Sequence, residues 1–452
     1  MKFPYETRKI RLYPVSPIHI SAGETRLGPT DIELDKTIYI IDEEQLARHV
    51  FNNKSLLKTY VEYASEWATK KVYIKDYFDE SGRLDRQFYQ DRDQKEHTLQ
   101  YFLERKMGMN IREFIDEIQV RTYPATTTED FMCDGQGNPF IPGSSLKGAI
   151  RTAIFYKLFQ ENKRFNLNAK VSEFFRKNGK PGRNQLQNLF MELLTFSCQN
   201  YKFKEELSQK DSNATGRTAS KIRTKYPKNG PNRDFLSCLQ ISDAPVNQIS
   251  SEKYNVKVLS CNRGAGVFKL KKGKEISIPK QLVWPDDIPE TEPVEFTLTL
   301  DKEKLNQFQP VNRDGFRIPF QNLAGLQTIV QEFFERVWLE EQKFFCGVSR
   351  AVLTGNPHAE GTLGPDLRTN RQKLEPVIDF YHHQTTPNFR LGFGSGLLGT
   401  TLFCLLNQDN RKKIRNVINK GYRDLPAPKS RRLVVAYNEM LPLGWARLEF
   451  GE

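Results

Sequence analysis

The segment from Gly143 to Arg151, GSSLKGAIR, contains residue types that bind phosphate. A glycine-containing turn that opens a helix points unpaired backbone N–H groups and the positive end of the helix dipole outward. Two cations four residues apart add charge on one side. The pattern predicts a backbone-phosphate contact, but it lacks the GxxxxGK[ST] signature of a Walker loop and also suits an ordinary helix capped by a serine. The candidate residues are Gly143, Ser144, Ser145, Lys147, Gly148 and Arg151.

A second candidate site is the glycine-rich segment 390–399, RLGFGSGLLG. Its glycines allow another backbone to approach closely, and an arginine near a phenylalanine offers a stacking surface for an unpaired base. Residues 394–399 formally match GxGxxG, but a dinucleotide site needs a βαβ unit and an acidic residue about 20 positions further on. RNA contact and plain packing are both favoured over nucleotide-cofactor binding. The candidate residues are Arg390, Gly392, Phe393, Gly394 and Gly396.

His19, in the segment SPIHISAGE, could act as a general acid or base, or could be a hydrogen-bonded histidine at a strand end. Glu24 and Asp243 are isolated carboxylates, so no acid–base pair can be inferred from them. The six histidines show no metal-ligand spacing, and the six scattered cysteines include no CxxC pair. We expect no metal, no cofactor and no disulfide scaffold.

The charge of the chain favours a polyanionic partner. The 452 residues include 68 Lys plus Arg against 55 Asp plus Glu, which leaves +13, and bound phosphates release counterions when cations neutralise them. The excess is concentrated in two runs, Lys163–Arg233 and Arg411–Arg432, of which the second includes Arg431. Because there is no secretory signal and no run of about 18 apolar residues, we expect a cytoplasmic protein with no membrane partner.

The elements that must position these residues form an interleaved pattern, which predicts the α+β class. Alternating apolar residues predict strands at 9–15, 236–241, 294–300 and 446–450, while helical spacing predicts helices at 144–158 and 323–345 and a mostly helical region at about 43–120. Residues 14–24 are expected to form a loop. The segment 201–230, poor in aliphatic residues, is expected to form a mobile loop.

Four of these segments together resemble the RAMP superfamily of CRISPR-associated RNA-binding proteins: SPIHISAGE, PFIPGSSLKGAIR, RLGFGSGLLGTT and the closing PKSRRLVVAYNEMLPLGWARLEF. Within that superfamily they are most similar to the subunit family that caps the 3′ end of the guide RNA (crRNA) in type III-A Csm effector complexes. The resemblance implies two RRM-like (ferredoxin-like) domains. The first covers 1–300, with a helical insertion at about 43–120 and a basic insertion at about 160–233, and the second covers 301–452, with a glycine-rich loop at 390–401.

The resemblance also implies a function and partners. It implies a non-catalytic crRNA-binding subunit that contributes to crRNA maturation and antiviral defence. Its expected partners are crRNA, target RNA, the RAMP backbone subunit, other Csm subunits and host nucleases. The loop Ser16–Glu24 is expected to face RNA; Glu24 stands where related subunits carry a target-cleaving aspartate. The RNA-binding residues implied outside the two candidate sites above are Ser16, His19, Ser21, Gly23, Arg431 and Arg432.

Two other functions stay open. One is a metal-independent endoribonuclease that processes CRISPR repeat RNA with His19 as general acid or base, and the other is a nucleotide-dependent enzyme that uses Gly394–Gly399. An RRM-like sheet here lacks the aromatic RNP consensus, so RNA is expected to bind through loops and helix N-termini instead of across the sheet face.

Overall fold

The computed structural model describes residues 4–24, 32–34, 37–41, 110, 120–124, 128–136, 138–179, 181–198, 201–204, 233–247, 251–262, 267–283, 292–354, 371–383, 387–418 and 427–451, with single helical residues between 48 and 65. They belong to two compact units, one of residues 1–21 and 131–452 and one of residues 22–130. None of the helices in these residues combines the length and the apolar character that a membrane span requires.

The strands are β1 (Tyr5–Pro14), β2 (Ser21–Glu24), β3 (Ile32–Leu34), β4 (Thr37–Ile41), β5 (Val120–Pro124), β6 (Thr128–Phe131), β7 (Phe140–Ile141), β8 (Leu239–Ile241), β9 (Ala244–Pro245), β10 (Ser251–Asn262), β11 (Val267–Pro279), β12 (Val294–Asp301), β13 (Phe389–Arg390), β14 (Ser430–Ala436), β15 (Glu439–Pro442) and β16 (Trp445–Phe450). The helices are α1 (Gly143–Glu161), α2 (Leu167–Asn178), α3 (Arg183–Cys198), α4 (Lys302–Gln307), α5 (Leu323–Thr354), α6 (Arg371–His383), α7 (Gly396–Thr400) and α8 (Gln408–Ile418).

The first sheet of the larger unit has the order β13-β16-β1-β12-β8. Strand β1 lies at its centre and pairs antiparallel with β12 and β16, so that Ile10 stands opposite Phe296 on one side and Phe450 on the other. Alternate residues of β12, beginning with Val294, are buried, because successive side chains of a strand point to opposite faces. Of the two partners of β1, β12 has the clearest alternation in the sequence, and β16 alternates as well.

The second sheet of the larger unit contains β15-β14-β10-β11 in that order. Its longest strands, β10 and β11, pair antiparallel, with an irregularity in register between Asn255 and Lys257. Strand β14 continues the sheet on the other side of β10. The 32-residue helix α5 packs against α1, α6 and β13, and the ring of Phe344 on α5 meets Phe268 on β11 edge to face at 5.7 Å.

The described part of the smaller unit contains short strands. Strands β3, β4 and β5 form an antiparallel sheet in that order. Most of the predicted helical region at 43–120 lies outside the described residues; those described between residues 48 and 65 are helical.

The α+β class is confirmed, and so are the strands at β1, β12 and β16 and the helix α5, which extends beyond its predicted end. The apolar face predicted for α1 is buried. Two RRM-like domains and their boundary near residue 300 stay predictions. The structure does show that β1 and β16, from the two predicted domains, belong to one sheet.

Three local predictions need correction. Residues 235–238 form a 3₁₀ turn and not a strand, because Asp234 accepts a hydrogen bond from the Leu236 N–H and starts the turn. The predicted loop 14–24 includes strand β2. Tyr201, at the start of the predicted mobile loop, is buried against Phe235 and Phe308; residues 205–232 lie outside the described part of the chain.

A buried carboxylate joins α5 to both sheets. Glu341, 2% exposed, forms ion pairs with Arg390 of β13 at 3.1 Å and with Arg431 of β14 at 2.5 Å. The two guanidinium groups also lie over aromatic rings, Arg390 over Trp445 at 4.7 Å and Arg431 over Phe344 at 4.1 Å. The network therefore fixes α5 against an edge strand of the first sheet, β13, and against an inner strand of the second sheet, β14.

We expect Glu341→Gln to lower the free energy of unfolding by about 3 kcal/mol or more, because it leaves two buried cations without their counter-charge. Urea denaturation followed by tryptophan fluorescence measures this change. The control is Glu335→Gln on the same helix, where the exposed Glu335 accepts a hydrogen bond from Gln331 at 3.0 Å. Equal stabilities of the two variants would contradict the proposed role of Glu341.

Candidate functional site

Two segments far apart in sequence, residues 15–20 and 443–446, are joined by backbone hydrogen bonds. The Trp445 carbonyl accepts from the N–H groups of Val15 and Ser16 at 2.9 and 3.1 Å, and the Ser16 hydroxyl accepts from the Trp445 N–H at 2.9 Å. The Gly444 N–H donates to the Pro17 carbonyl at 2.8 Å. Ser16, predicted to bind RNA, is fully buried and holds this connection together.

The glycine-rich segment completes the assembly, which we call the three-segment junction (residues 15–20, 391–396 and 443–446). The Leu391 N–H donates to the Gly444 carbonyl, and the Phe393 N–H donates to the His19 carbonyl, both at 2.9 Å. The structure thus brings together three of the four motifs on which the family resemblance is based. Sequence spacing alone cannot show this, because the segments are more than 400 residues apart at their extremes.

His19 is a buried member of the junction, with 1% of its surface exposed. Its Nδ1 lies 2.8 Å from the Ser277 carbonyl oxygen, and because a carbonyl only accepts, Nδ1 carries the proton. The imidazole meets Phe131 and Phe393 edge to face, at 6.0 and 5.7 Å between ring centres. Of the two roles considered for His19, the structure shows the hydrogen-bonded, packed one.

Two of the glycines have a close neighbour within the chain. Gly392 has a φ of +75°, and a Cβ there would collide with the His19 carbonyl; a Cβ on Gly394 would collide with the backbone and Cβ of Leu443. Gly396 has a φ of +55°, but among the described residues no atom lies within 4 Å of its Cβ position. The first two are therefore needed for packing of the junction, whereas the backbone at Gly396 is open to an approaching molecule.

Arg432 places a cation on the surface of the junction. Its guanidinium lies 3.9 Å from the centre of the Phe393 ring, and its Nη1 donates to the Phe393 carbonyl at 2.9 Å. Arg432 is exposed and Phe393 is partly buried. The preceding residue, Arg431, points the other way, into the Glu341 network, as does Arg390. RNA contact by Arg390 and Arg431 stays a prediction from sequence, while the structure gives both an internal partner.

The other candidate site, at the start of α1, is built differently from its prediction. Pro142 is the N-cap residue, and no side-chain hydrogen bond from Ser144 or Ser145 caps the helix, which corrects the serine cap. The cap comes from a residue 100 positions away: Asp243 accepts from the Gly143 N–H at 2.7 Å. A Cβ on Gly143 would lie 2.8 Å from the Ser242 carbonyl oxygen, so glycine is required at this contact.

The two cations of α1 also have partners within the chain. Lys147 Nζ donates to the Leu239 carbonyl at 2.6 Å, and Arg151 pairs with Asp234 at 3.0 Å. Burial and the neighbouring Arg151 lower the pKa of Lys147, and burial raises the pKa of Asp234 despite the same arginine. Ser144 and Gly148 are exposed, so part of the helix start is accessible. Phosphate binding here stays a prediction.

The remaining predicted site residues lie elsewhere. Ser21 begins β2, and Gly23 follows with a φ of +105° and open space around its Cβ position. In the described residues, no group of three or more His, Cys, Asp or Glu side chains could hold a metal ion. Sequence reasoning missed Ser277 and Glu341, since neither belongs to a motif and both act on residues far away in the chain.

We expect Gly394→Ala to lower the free energy of unfolding by more than about 1 kcal/mol, because the new Cβ overlaps the Leu443 backbone. Gly148→Ala is the control, since Gly148 lies in α1 and no atom of the described part of the chain is within 4 Å of its Cβ position. This substitution should be neutral or stabilising. Thermal melting of both variants makes the comparison. A Gly394→Ala protein that melts like the unmodified chain would contradict the packing role.

The RAMP superfamily model matches residues 11–309, more than half of the chain. Among curated proteins none matches. One similar solved structure is a chain from the cryo-EM structure of a Csm–crRNA–target RNA ternary complex of a type III-A CRISPR-Cas system. It is 19% identical, with 98% of this chain and 100% of that chain covered and a TM-score of 0.47.

Another is the crystal structure of Csm5 from T. onnurineus, with 17% identity, 97% and 100% coverage of the two chains, and a TM-score of 0.39. The family match includes the end of β1, the whole of α1 and strands β8 to β12. It extends over the segment that carries His19 and the segment that carries Lys147. The chain belongs to the RAMP superfamily.

Proposed function

We propose that this chain is a crRNA-binding subunit of a type III-A CRISPR effector complex and that it binds the guide at its 3′ end without cleaving it. The observation that carries the proposal is the three-segment junction, where motifs typical of RAMP proteins meet and present Arg432, Phe393 and the open backbone of Gly396 at the surface. Single-stranded RNA is recognised by such combinations, because cations track its phosphates while aromatic and guanidinium planes stack on unpaired bases.

The charge of the chain supports the same proposal. A net charge of +13 favours association with a polyanion. The partners that follow from the proposal are crRNA, target RNA, the RAMP backbone subunit, other Csm subunits and host nucleases that trim the guide. Its setting would be the cytoplasm, where guide RNA is made and used.

The second candidate function, metal-independent cleavage of repeat RNA by His19, is disfavoured by a specific observation. A general acid or base must come within hydrogen-bond reach of the proton that it transfers. The His19 imidazole is 1% exposed, donates from Nδ1 to the Ser277 carbonyl and lies between two phenylalanine rings. A ribose hydroxyl could reach its other nitrogen only if the junction opened.

The 3′-end assignment predicts a directional crosslink. A guide RNA with a photoreactive nucleotide at its 3′ end should crosslink to this chain in the assembled complex, whereas a 5′ label should not. Arg432→Gln should lower the yield severalfold, because it removes the cation beside Phe393. The control is Arg447→Gln, whose exposed guanidinium likewise lies over a ring, that of Tyr13, at 4.8 Å. Crosslinking from the 5′ end alone, or no CRISPR RNA in a native pull-down, would overturn the proposal.

The non-catalytic assignment predicts that the purified protein leaves repeat RNA intact during several hours of incubation in EDTA. His19→Asn keeps a polar side chain at this buried position and should behave the same way. Denaturing gels read out the result. Site-specific cutting by the unmodified chain that disappears in His19→Asn, while the variant keeps its melting temperature, would establish the endoribonuclease instead.

A further inference from the structure

The second sheet carries three cations on the face next to the three-segment junction. In the β14-β10-β11 register, Arg432 stands opposite Val258, and Val258 stands opposite Lys271. The next row is Ser430, Ser260 and Lys269. Directly paired residues of an antiparallel sheet share a face. Arg432, Lys271 and Lys269 therefore point to the same side, and neither row contains an acidic residue.

This face is open at the end that carries the lysines. Lys269, Lys271 and Arg432 are exposed, whereas Ser260 between them is buried and Val258 is half-buried, so the accessible surface consists of the three cations. The opposite face is a core face, because Leu259 and Arg431 are buried there and Phe344 of α5 covers it. From strand geometry the two lysines are about 7 Å apart, and Arg432 is about 10 Å from Lys271 across two strand spacings.

Several cations lie near one another at this end of the sheet. Within the described part of the chain, neither Lys269 nor Lys271 forms an ion pair. At the same end of the sheet, the Lys429 carbonyl accepts from the Cys261 N–H at 3.0 Å, and burial together with the neighbouring cations Arg415 and Lys271 lowers the pKa of Lys429. Cations this close repel one another, so an anion that neutralises them would be bound favourably.

We propose that this face, defined by Lys269, Lys271 and Arg432, binds the phosphate backbone of single-stranded RNA that continues from the three-segment junction. The inference rests on the proposed function and extends the path of the strand from Arg432 to Lys269 and Lys271, which belong neither to the family motifs nor to the candidate residues. Arg432 joins the two surfaces. Its guanidinium contacts Phe393 of the junction, and across the sheet Arg432 is paired with Val258, which is paired in turn with Lys271.

The chemistry of the face selects RNA backbone over the other anionic partner, an acidic protein surface. Protein interfaces of high affinity are centred on buried aromatic or aliphatic anchors. The two rows of this face contain Val258, two serines and three cations, with no aromatic residue. A row of separated, flexible cations suits successive phosphates, since phosphate contacts need charge and reach but no base-specific geometry.

The test measures how the affinity of the full-length chain for a fluorescent 30-nucleotide oligouridine depends on salt. For single-stranded RNA the log–log slope changes by roughly 0.7 per phosphate contact, so Lys269→Gln/Lys271→Gln should reduce its magnitude by about 1.4. Lys272→Gln is the matched control: Lys272 is an exposed lysine of the same strand that points to the opposite face. Its slope should stay close to that of the unmodified chain, and circular dichroism should show all variants folded.

The outcomes separate this inference from the function on which it rests. If the unmodified chain binds oligouridine but the double variant keeps its slope, the RNA path is wrong and the proposed function is untouched. An equal loss in Lys272→Gln would reduce the effect to general charge and overturn the path as well. If the double variant binds RNA normally but no longer joins its complex, the face binds an acidic protein surface. If the unmodified chain binds no RNA, the proposed function itself fails.

Discussion

The larger unit depends on one buried negative charge. Glu341 lies on α5 and neutralises Arg390 of the first sheet and Arg431 of the second. Three desolvated charges are costly in a protein interior unless each finds its partners with good geometry. Here one carboxylate serves two guanidinium groups, and the rings of Trp445 and Phe344 lie under the two cations. This requirement fixes the helix to both sheets, since a shift of either sheet would leave a charge exposed to apolar surroundings.

The Glu341 network also determines the position of the surface that is proposed to bind RNA. Arg431 and Arg432 are neighbours in β14 and point to opposite faces, so the buried ion pair of the first determines where the second presents its guanidinium. The buried ion pair of Arg390 likewise determines the position of the glycines that follow it directly. A hydrogen bond to His19 holds these residues in the junction. Residues that serve the core and residues available to a ligand therefore alternate along the same short segments.

How much the sequence could predict follows from the range of each interaction. Strand β12 and helix α5 were predictable because their apolar periodicity is local. The cap of α1 was not, because the carboxylate that accepts from Gly143 belongs to Asp243, and two nearby serines offered a plausible local cap. The sequence places Arg390 in a glycine-rich segment and favours RNA contact, whereas its buried partner Glu341 lies 49 residues earlier in the chain. The lysines of β11 alternate visibly with Leu270, a pattern that indicates one open face, yet only the register with β14 brings them beside Arg432.

The central place of β1 also determines when the first sheet can form. Its two neighbours are β12 and β16, nearly 300 and more than 400 residues downstream. While the ribosome makes the chain, the described partners of β1 are missing until β12 emerges, and its second edge stays open until β16 is made. Such distant pairings slow folding and leave strand edges exposed to other chains. Completion of this sheet therefore waits until β16 has left the exit tunnel.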